Sequence, residues 1–288
     1  MLLSLVVPTY CEEASLSAHY HACIKAIQEL RDHVQSDLSY EYIVIDNCSE
    51  DNTVGVALQL KSTDQNIKIY INDRNYGPVL SPFQGLMHSK GDIVLLIAAD
   101  LQEPPALLTQ FYDGLLDGHD AVIGYKNGSG DSRLMWMLRG SYYVALRKLG
   151  ISSSPHRYSG FGLYSRPLID RLKLAHHDEP SMRVLLPQYA KSIKPIPYYH
   201  QERIAGRSTY TFYSYIREAI RNIARNGGSY QNLAGKVSIA SVTLSFVMVP
   251  LAIAAKFIFW NLIAPGVATI LIVIFVSNAF VLGFMAII

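Results

Sequence analysis

The chain has 288 residues, half of them hydrophobic, with 25 basic against 23 acidic side chains and a formal net charge of +2. A balance so near zero excludes the strongly cationic surface that nucleic-acid binding uses. The three cysteines, Cys11, Cys23 and Cys48, lack CxxC spacing and read as free thiols, which excludes a disulfide framework or a thiolate zinc site.

Residues 2–9 form a continuous apolar run that contains Pro8, the pattern of a buried parallel strand; no basic segment precedes it, so it does not read as a signal peptide. Helical spacing follows over 12–34. A β-branched run at 42–46 ends on Asp46, and Glu50-Asp51-Asn52-Thr53 supplies good starting chemistry for a helix over 51–60. Residues 67–72 read as a third strand, 79–89 as a third helix and 92–98 as a fourth strand running up to Asp100. Pro104 and Pro105 mark the first turn of a helix to 116, and 121–124 is a fifth strand. Alternating units of these lengths predict a parallel sheet with helices on both faces. Beyond them, 126–133 is a Gly/Ser-rich loop, 134–149 is helical, and 158–164 and 193–199 are further strands. Residues 206–232, rich in Tyr and Arg, read as helices lying on lipid headgroups.

Two apolar stretches close the chain, 237–255 and 257–288, with Lys256 between them. A helix of roughly 20 residues crosses about 30 Å of hydrocarbon, and in lipid each stretch must be helical to pair its own backbone. Arg203, Arg207, Arg217, Arg221, Arg225 and Lys236 precede the first stretch, a cluster that marks the cytoplasmic side and can meet anionic headgroups. No polar residue follows Asn278, so a further tail is expected beyond this run.

In a parallel α/β sheet, ligands bind outside the carboxyl ends of the strands. Those ends carry Pro8-Thr9-Tyr10-Cys11-Glu12, Asp46-Asn47, Asp100-Leu101-Gln102-Glu103 and Gly124-Tyr125-Lys126, and all should face one crevice. No dinucleotide or P-loop glycine pattern follows the first strand. Asp100, Gln102 and Glu103 offer oxygens suited to a hard cation such as Mg²⁺ that neutralises a diphosphate, although Asp100 could also simply cap the next helix. Asp46 could accept hydrogen bonds from a nucleobase or ribose, or only shape its turn. Lys126, Arg133 and Arg203 are candidate phosphate ligands.

Several of these segments carry a family likeness. Val6-Val7-Pro8-Thr9-Tyr10-Cys11-Glu12-Glu13 is similar to a VVPTYNE opening, Ile43 to Thr53 to a V-D-D-x-S-x-D-x-T segment, and Arg74-Asn75-Tyr76-Gly77 to an R-N-x-G turn. Ala98 to Pro105 resembles a DADLQDPP signature, and Gly206 to Tyr210 a G-x-S-x-Y segment. Over residues 1–235 the chain thus resembles the family 2 glycosyltransferases of the GT-A fold, close to the polyprenyl-phosphate group typified by dolichol-phosphate mannose synthases and bacterial undecaprenyl-phosphate glucosyltransferases.

The resemblance implies an α/β fold: a GT-A nucleotide-diphospho-sugar transferase domain over 1–208, juxtamembrane interfacial helices over 209–235, and a two-helix transmembrane hairpin over 236–288. It implies a multi-pass protein of the inner or plasma membrane, its catalytic domain cytoplasmic, that moves a hexose with inversion from a UDP- or GDP-sugar to undecaprenyl or dolichyl phosphate. Pro8, Tyr10, Glu12, Asp46, Asp100 and Gln102 match nucleotide-sugar positions, with Asp100 and Gln102 holding Mg²⁺ or Mn²⁺. Lys126, Arg133, Arg203 and Ser208 match positions that handle the acceptor phosphate; Asp100, Lys126, Arg133 and Arg203 form the catalytic set. Copies of the chain could associate through the apolar hairpin.

Two departures stand out. The first acid of DADLQDPP is Ala98, which leaves Glu103 or Asp46 to compensate. The family's D-x-G-x-F-R-L segment reads Arg157-Tyr158-Ser159-Gly160-Phe161-Gly162-Leu163, without its Asp and Arg. A lipid monophosphate is already a nucleophilic oxyanion at neutral pH, its second pKa lying around 6, and needs no base. A sugar-hydroxyl acceptor would need one, for which Asp178 or Glu179 is the candidate. A nucleotide-sugar-binding protein without turnover is the remaining alternative.

Overall fold

The computed structural model describes residues 1–35, 37–127, 158–174, 182–199, 227–259 and 266–285. Its elements, in order, are β1 (Leu2–Thr9), α1 (Leu16–Val34), β2 (Ser39–Asp46), α2 (Thr53–Thr63), β3 (Ile67–Ile71), α3 (Gly77–His88) and β4 (Ile93–Leu96). A 3₁₀ turn at Pro105–Leu107 leads into α4 (Leu108–Leu116), followed by β5 (Ala121–Lys126), β6 (Tyr158–Ser165), α5 (Arg166–Leu174), α6 (Met182–Tyr189) and β7 (Ile193–Tyr198). Two helices, α7 (Gly227–Ile258) and α8 (Val267–Met285), form a separate unit.

Seven strands make one sheet in the order β3-β2-β1-β4-β6-β5-β7. The expected α/β alternation is present, with one correction: the sheet is mixed, because β6 runs antiparallel between β4 and β5. Close approach makes this insertion possible. A methyl on Gly162 would meet the Val122 carbonyl oxygen at 2.6 Å, so only glycine lets β6 lie against β5 at this point.

The period-2 alternation of the strands divides the core into two layers. Leu3, Leu5, Val7, Tyr42, Val44, Val122 and Phe161 turn to the face covered by α1, α2 and α4. Val6, Ile43, Ile45, Ala121, Ile123 and Tyr164 turn to the face covered by α3, α5 and α6. The central strands are therefore apolar on both sides, which explains their continuous runs in the sequence. α5 was not anticipated; it follows β6 directly, and its Leu168, Ile169 and Leu172 are buried in the second layer.

α7 begins at Gly227, upstream of the expected start of the apolar helix, and it runs without interruption through Pro250. Among the described residues one helical segment, Val237–Ile258, is long and apolar enough to cross a membrane; at 1.5 Å per residue its 22 residues span about 33 Å. Ile239, Phe246, Leu251 and Phe257 are exposed along it. α8 packs on α7, where the Ser245 hydroxyl lies 3.0 Å from the Phe275 carbonyl oxygen. The proposed loop over 126–133 beyond Asn127, the helix at 134–149 and the interfacial segment up to residue 226 lie outside the described residues.

His19 of α1 is fully buried, with Nδ1 2.8 Å from the Tyr42 hydroxyl. Burial pushes its pKa down to about 4. The unfolded chain therefore takes up this proton first, near pH 6.5, so the stability that neutral His19 contributes is full above that pH and is lost as pH falls towards 4. Relative to His19→Gln, the wild-type chain should lose about 2 kcal/mol of stability between pH 6.5 and 5. Paired thermal melts measure this; a constant gap across the range would refute it.

Candidate active site

The parallel strands β1, β2, β4, β5 and β7 end at one edge of the sheet. α1 leaves β1 for one face, whereas α3 runs into β4 over the other. The strand order reverses between β1 and β4; the helices that follow both, α1 and α4, pack on the same face, and the ligand crevice of such a sheet lies outside these strand ends.

The loop after β2 is tied to the loop after β1. Asn47 N–H donates to the Thr9 carbonyl at 2.9 Å, Cys11 N–H to Ser49 Oγ at 3.0 Å, and Glu12 N–H to Thr53 Oγ1 at 2.8 Å. The two loops also exchange backbone-to-carboxylate bonds: Glu13 N–H to Asp51 and Asn52 N–H to Glu13, both at 3.1 Å. Asp46 is buried. One of its oxygens accepts the Ser49 N–H at 2.9 Å and the other the Ser49 hydroxyl at 2.5 Å, with the Thr9 hydroxyl 3.4 Å away. On the far side, Asn47 Oδ1 accepts from Tyr76 N–H and Asn72 Nδ2, and Asn47 Nδ2 donates to Asn75. This network anchors the Arg74-to-Gly77 turn, where the Arg74 guanidinium lies over the Tyr76 ring at 5.0 Å.

Three non-glycine residues at this edge have left-handed backbones: Cys11 (φ 56°), Cys48 (φ 63°) and Leu101 (φ 59°). Such conformations cost about 1–2 kcal/mol each and concentrate at functional sites. Leu101 sits between Asp100 and Gln102. There Asp100 Oδ1 accepts the Gln102 N–H at 3.1 Å.

Glu103 turns back into the sheet. One of its oxygens accepts the Ala98 N–H at 2.9 Å and the other the Ser159 hydroxyl of β6 at 2.7 Å. Burial pushes its carboxyl up to about 7. Its two hydrogen bonds and the charge of Lys126 act against that rise, and the charge of Asp100 adds to it. Lys126, at the end of β5, is therefore electrostatically coupled to the Asp100–Glu103 segment.

Of the residues expected at the site, Pro8 and Tyr10 lie at the end of β1, half-buried. Glu12 begins the turn into α1: its carbonyl accepts the Leu16 N–H at 2.9 Å and its carboxylate accepts the Ser15 hydroxyl. Asp100, Gln102 and Lys126 belong to the same sheet edge. Arg133, Asp178, Glu179, Arg203 and Ser208 lie outside the described residues. Ser49, Asn47 and Ser159 were not singled out by sequence reading. Ser49 is the serine of the V-D-D-x-S-like segment and was findable there; Ser159 carries no local signal, because its partner is 56 positions away.

Among the described residues no three His, Cys, Asp or Glu side chains converge as a metal cage. The donor set instead suits a cation held by one carboxylate and completed by phosphate oxygens, which is how Mg²⁺ is commonly bound.

Residues 4–173 match the Glycosyl transferase family 2. The undecaprenyl-phosphate 4-deoxy-4-formamido-L-arabinose transferase of Shewanella sediminis is 27% identical over 219 residues, covering 74% of this chain and 63% of that protein. The bactoprenol glucosyl transferase of Shigella phage SfV is 26% identical over 224 residues, 77% of this chain and 71% of that protein. Among solved structures, the mannosyltransferase PcManGT from Pyrobaculum calidifontis, in complex with GDP-Man and Mn²⁺, aligns at 18% identity and a TM-score of 0.49, covering 97% of this chain and 86% of that one.

Asp46→Ala would strand the Ser49 N–H and hydroxyl inside the crevice wall. A buried donor left without an acceptor costs about 1–3 kcal/mol. The expected result is a stability loss of that size in a denaturant melt; an unchanged melt would show that Asp46 does not hold this loop. The match across more than half the chain, on a mixed α/β sheet of the GT-A type, makes this protein a glycosyltransferase that belongs to the Glycosyl transferase family 2.

Proposed function

We propose that the chain transfers a hexose from a UDP- or GDP-sugar to a polyprenyl phosphate, with inversion, at the cytoplasmic face of a membrane that α7 and α8 cross as a hairpin. The observation that carries this is the charge arrangement at the strand-end edge: a buried acidic strand end, Asp100 and Glu103, with the charge of Lys126 acting on Glu103 from the end of β5. The names of the relatives, which specify undecaprenyl phosphate and bactoprenol, support the acceptor class. The apolar span Val237–Ile258 supports a membrane-bound acceptor.

On this reading Tyr10, Pro8 and the loops tied by Asp46 and Glu12 receive the nucleoside. Asp100 and Gln102 hold a divalent cation with the donor diphosphate, and the cation would offset the charge that builds on the leaving group. Lys126, with Arg133, Arg203 and Ser208, orients the acceptor phosphate. A phosphate oxygen attacks the anomeric carbon from the face opposite the nucleotide. The new carbon–oxygen bond forms as the bond to the diphosphate breaks, and the nucleoside diphosphate departs with that electron pair. No proton has to be removed from the acceptor, so the missing Asp of the Arg157-to-Leu163 segment is no obstacle.

The test is a transfer assay with the full chain in detergent and undecaprenyl phosphate, comparing UDP-glucose, UDP-galactose, UDP-N-acetylglucosamine and GDP-mannose with Mg²⁺ or EDTA. One donor should yield a lipid-linked monosaccharide, and EDTA should abolish it. Asp100→Asn should lower kcat/KM at least about 100-fold, equivalent to about 2.7 kcal/mol of transition-state stabilisation. Full turnover in EDTA would remove the cation from the reading. Transfer to a saccharide hydroxyl but not to the lipid phosphate would overturn the acceptor.

A further inference from the structure

The acid missing at position 98 leaves this chain one carboxylate short of the DADLQDPP pattern it resembles, while position 103 carries a side chain one methylene longer than the pattern's aspartate. We propose that these two changes compensate: Glu103 is a positioning residue that takes over the part of the acid absent at position 98, anchoring the strand end that carries Asp100 and placing a second carboxyl group in the same segment. This rests on the reading that the donor diphosphate and its cation bind at Asp100.

Four observations support it. The left-handed turn at Leu101 reverses the chain, and Glu103 reaches back to residue 98 itself, accepting its N–H at 2.9 Å. The other carboxylate oxygen accepts the Ser159 hydroxyl at 2.7 Å, so one side chain bridges the end of β4 and the start of β6. Glu103 is 6% exposed with both carboxyl oxygens hydrogen-bonded, so its side chain is fixed in this position beside Asp100. Asp46, the other acid available to compensate, is committed to Ser49 and Thr9 on the opposite side of the crevice.

A purely structural clamp and a relocated charge predict different rescues. Returning a carboxylate to position 98 restores charge near Asp100 but does not restore the hydrogen bonds that Glu103 makes to Ala98 and Ser159. The experiment uses the full chain in detergent, with Mn²⁺ as the metal probe, UDP or GDP as the nucleotide, and electron paramagnetic resonance to count free Mn²⁺. Glu103→Gln should weaken Mn²⁺ binding to the nucleotide complex by roughly 10–100-fold, while nucleotide affinity in EDTA stays within about threefold. Adding Ala98→Asp to Glu103→Gln should return Mn²⁺ affinity to within about threefold of the wild-type chain.

If Glu103→Gln does not fold, Glu103→Asp alone is compared with Glu103→Asp combined with Ala98→Asp, which restores both acids of the pattern; the single change should lose affinity and the pair should regain it. Mn²⁺ affinity unmoved by the change at 103, or a double variant that remains as weak as the single one, overturns the proposal. A wild-type chain that binds neither nucleotide in an Mn²⁺-dependent manner overturns the donor reading beneath it, and the proposal with it.

Discussion

The site depends on the placement of β1. It is buried in mid-sheet, hydrogen-bonded in parallel to β2 on one side and β4 on the other, with α1, α2 and α4 covering one face and α3 the other. A parallel strand so placed has to be apolar on both sides, and Leu3, Leu5, Val6 and Val7 are all completely buried. The same placement brings the loops after β1, β2 and β4 to one edge of the sheet. The candidate ligand groups on the described residues stand along that edge, with Lys126 at the end of β5, two strands from β4.

A crevice formed by loop ends is useful only if the loops stay in position. Here they are held by polar cross-links more than by packing. The loops after β1 and β2 trade backbone N–H groups for side-chain oxygens at Ser49, Thr53, Asp51 and Glu13. Asn47 extends the same mesh to the turn after β3. These bonds offset the cost of the left-handed residues Cys11 and Cys48, whose conformations would not persist in a free loop. The rim is therefore organised before any ligand arrives, so less conformational entropy remains to be lost on binding.

Strand and helix positions up to residue 126 were legible because each strand is a short apolar run closed by a polar residue, and each helix begins on turn chemistry. The direction of β6 was not legible. Tyr158 to Ser165 has the pattern of a strand, but its antiparallel insertion depends on Gly162 fitting against β5, a fact about two backbones and not one segment. Asp46 and Asp100 could be picked out as strand-end acids, whereas their different situations could not. Asp46 is closed in by Ser49, three residues on, which local sequence could have suggested. Glu103 has its carboxyl raised chiefly by burial in the folded sheet, and its partners Ser159 and Lys126, which act against the rise, are remote in sequence.

The proposed reaction sets a difficult electrostatic condition: a diphosphate and a phosphate, both anionic, have to meet in one crevice lined by acids. Repulsion between them is tolerable only if opposite charge is distributed between the two. The described rim divides in this way, with acids at the end of β4 where a cation can share the diphosphate, and Lys126 at the end of β5 on the other side of β6. β6, inserted between those strands, sets their separation and also contributes the Ser159 hydroxyl to Glu103. The strand that breaks the parallel pattern thus separates the acidic strand end from the basic one.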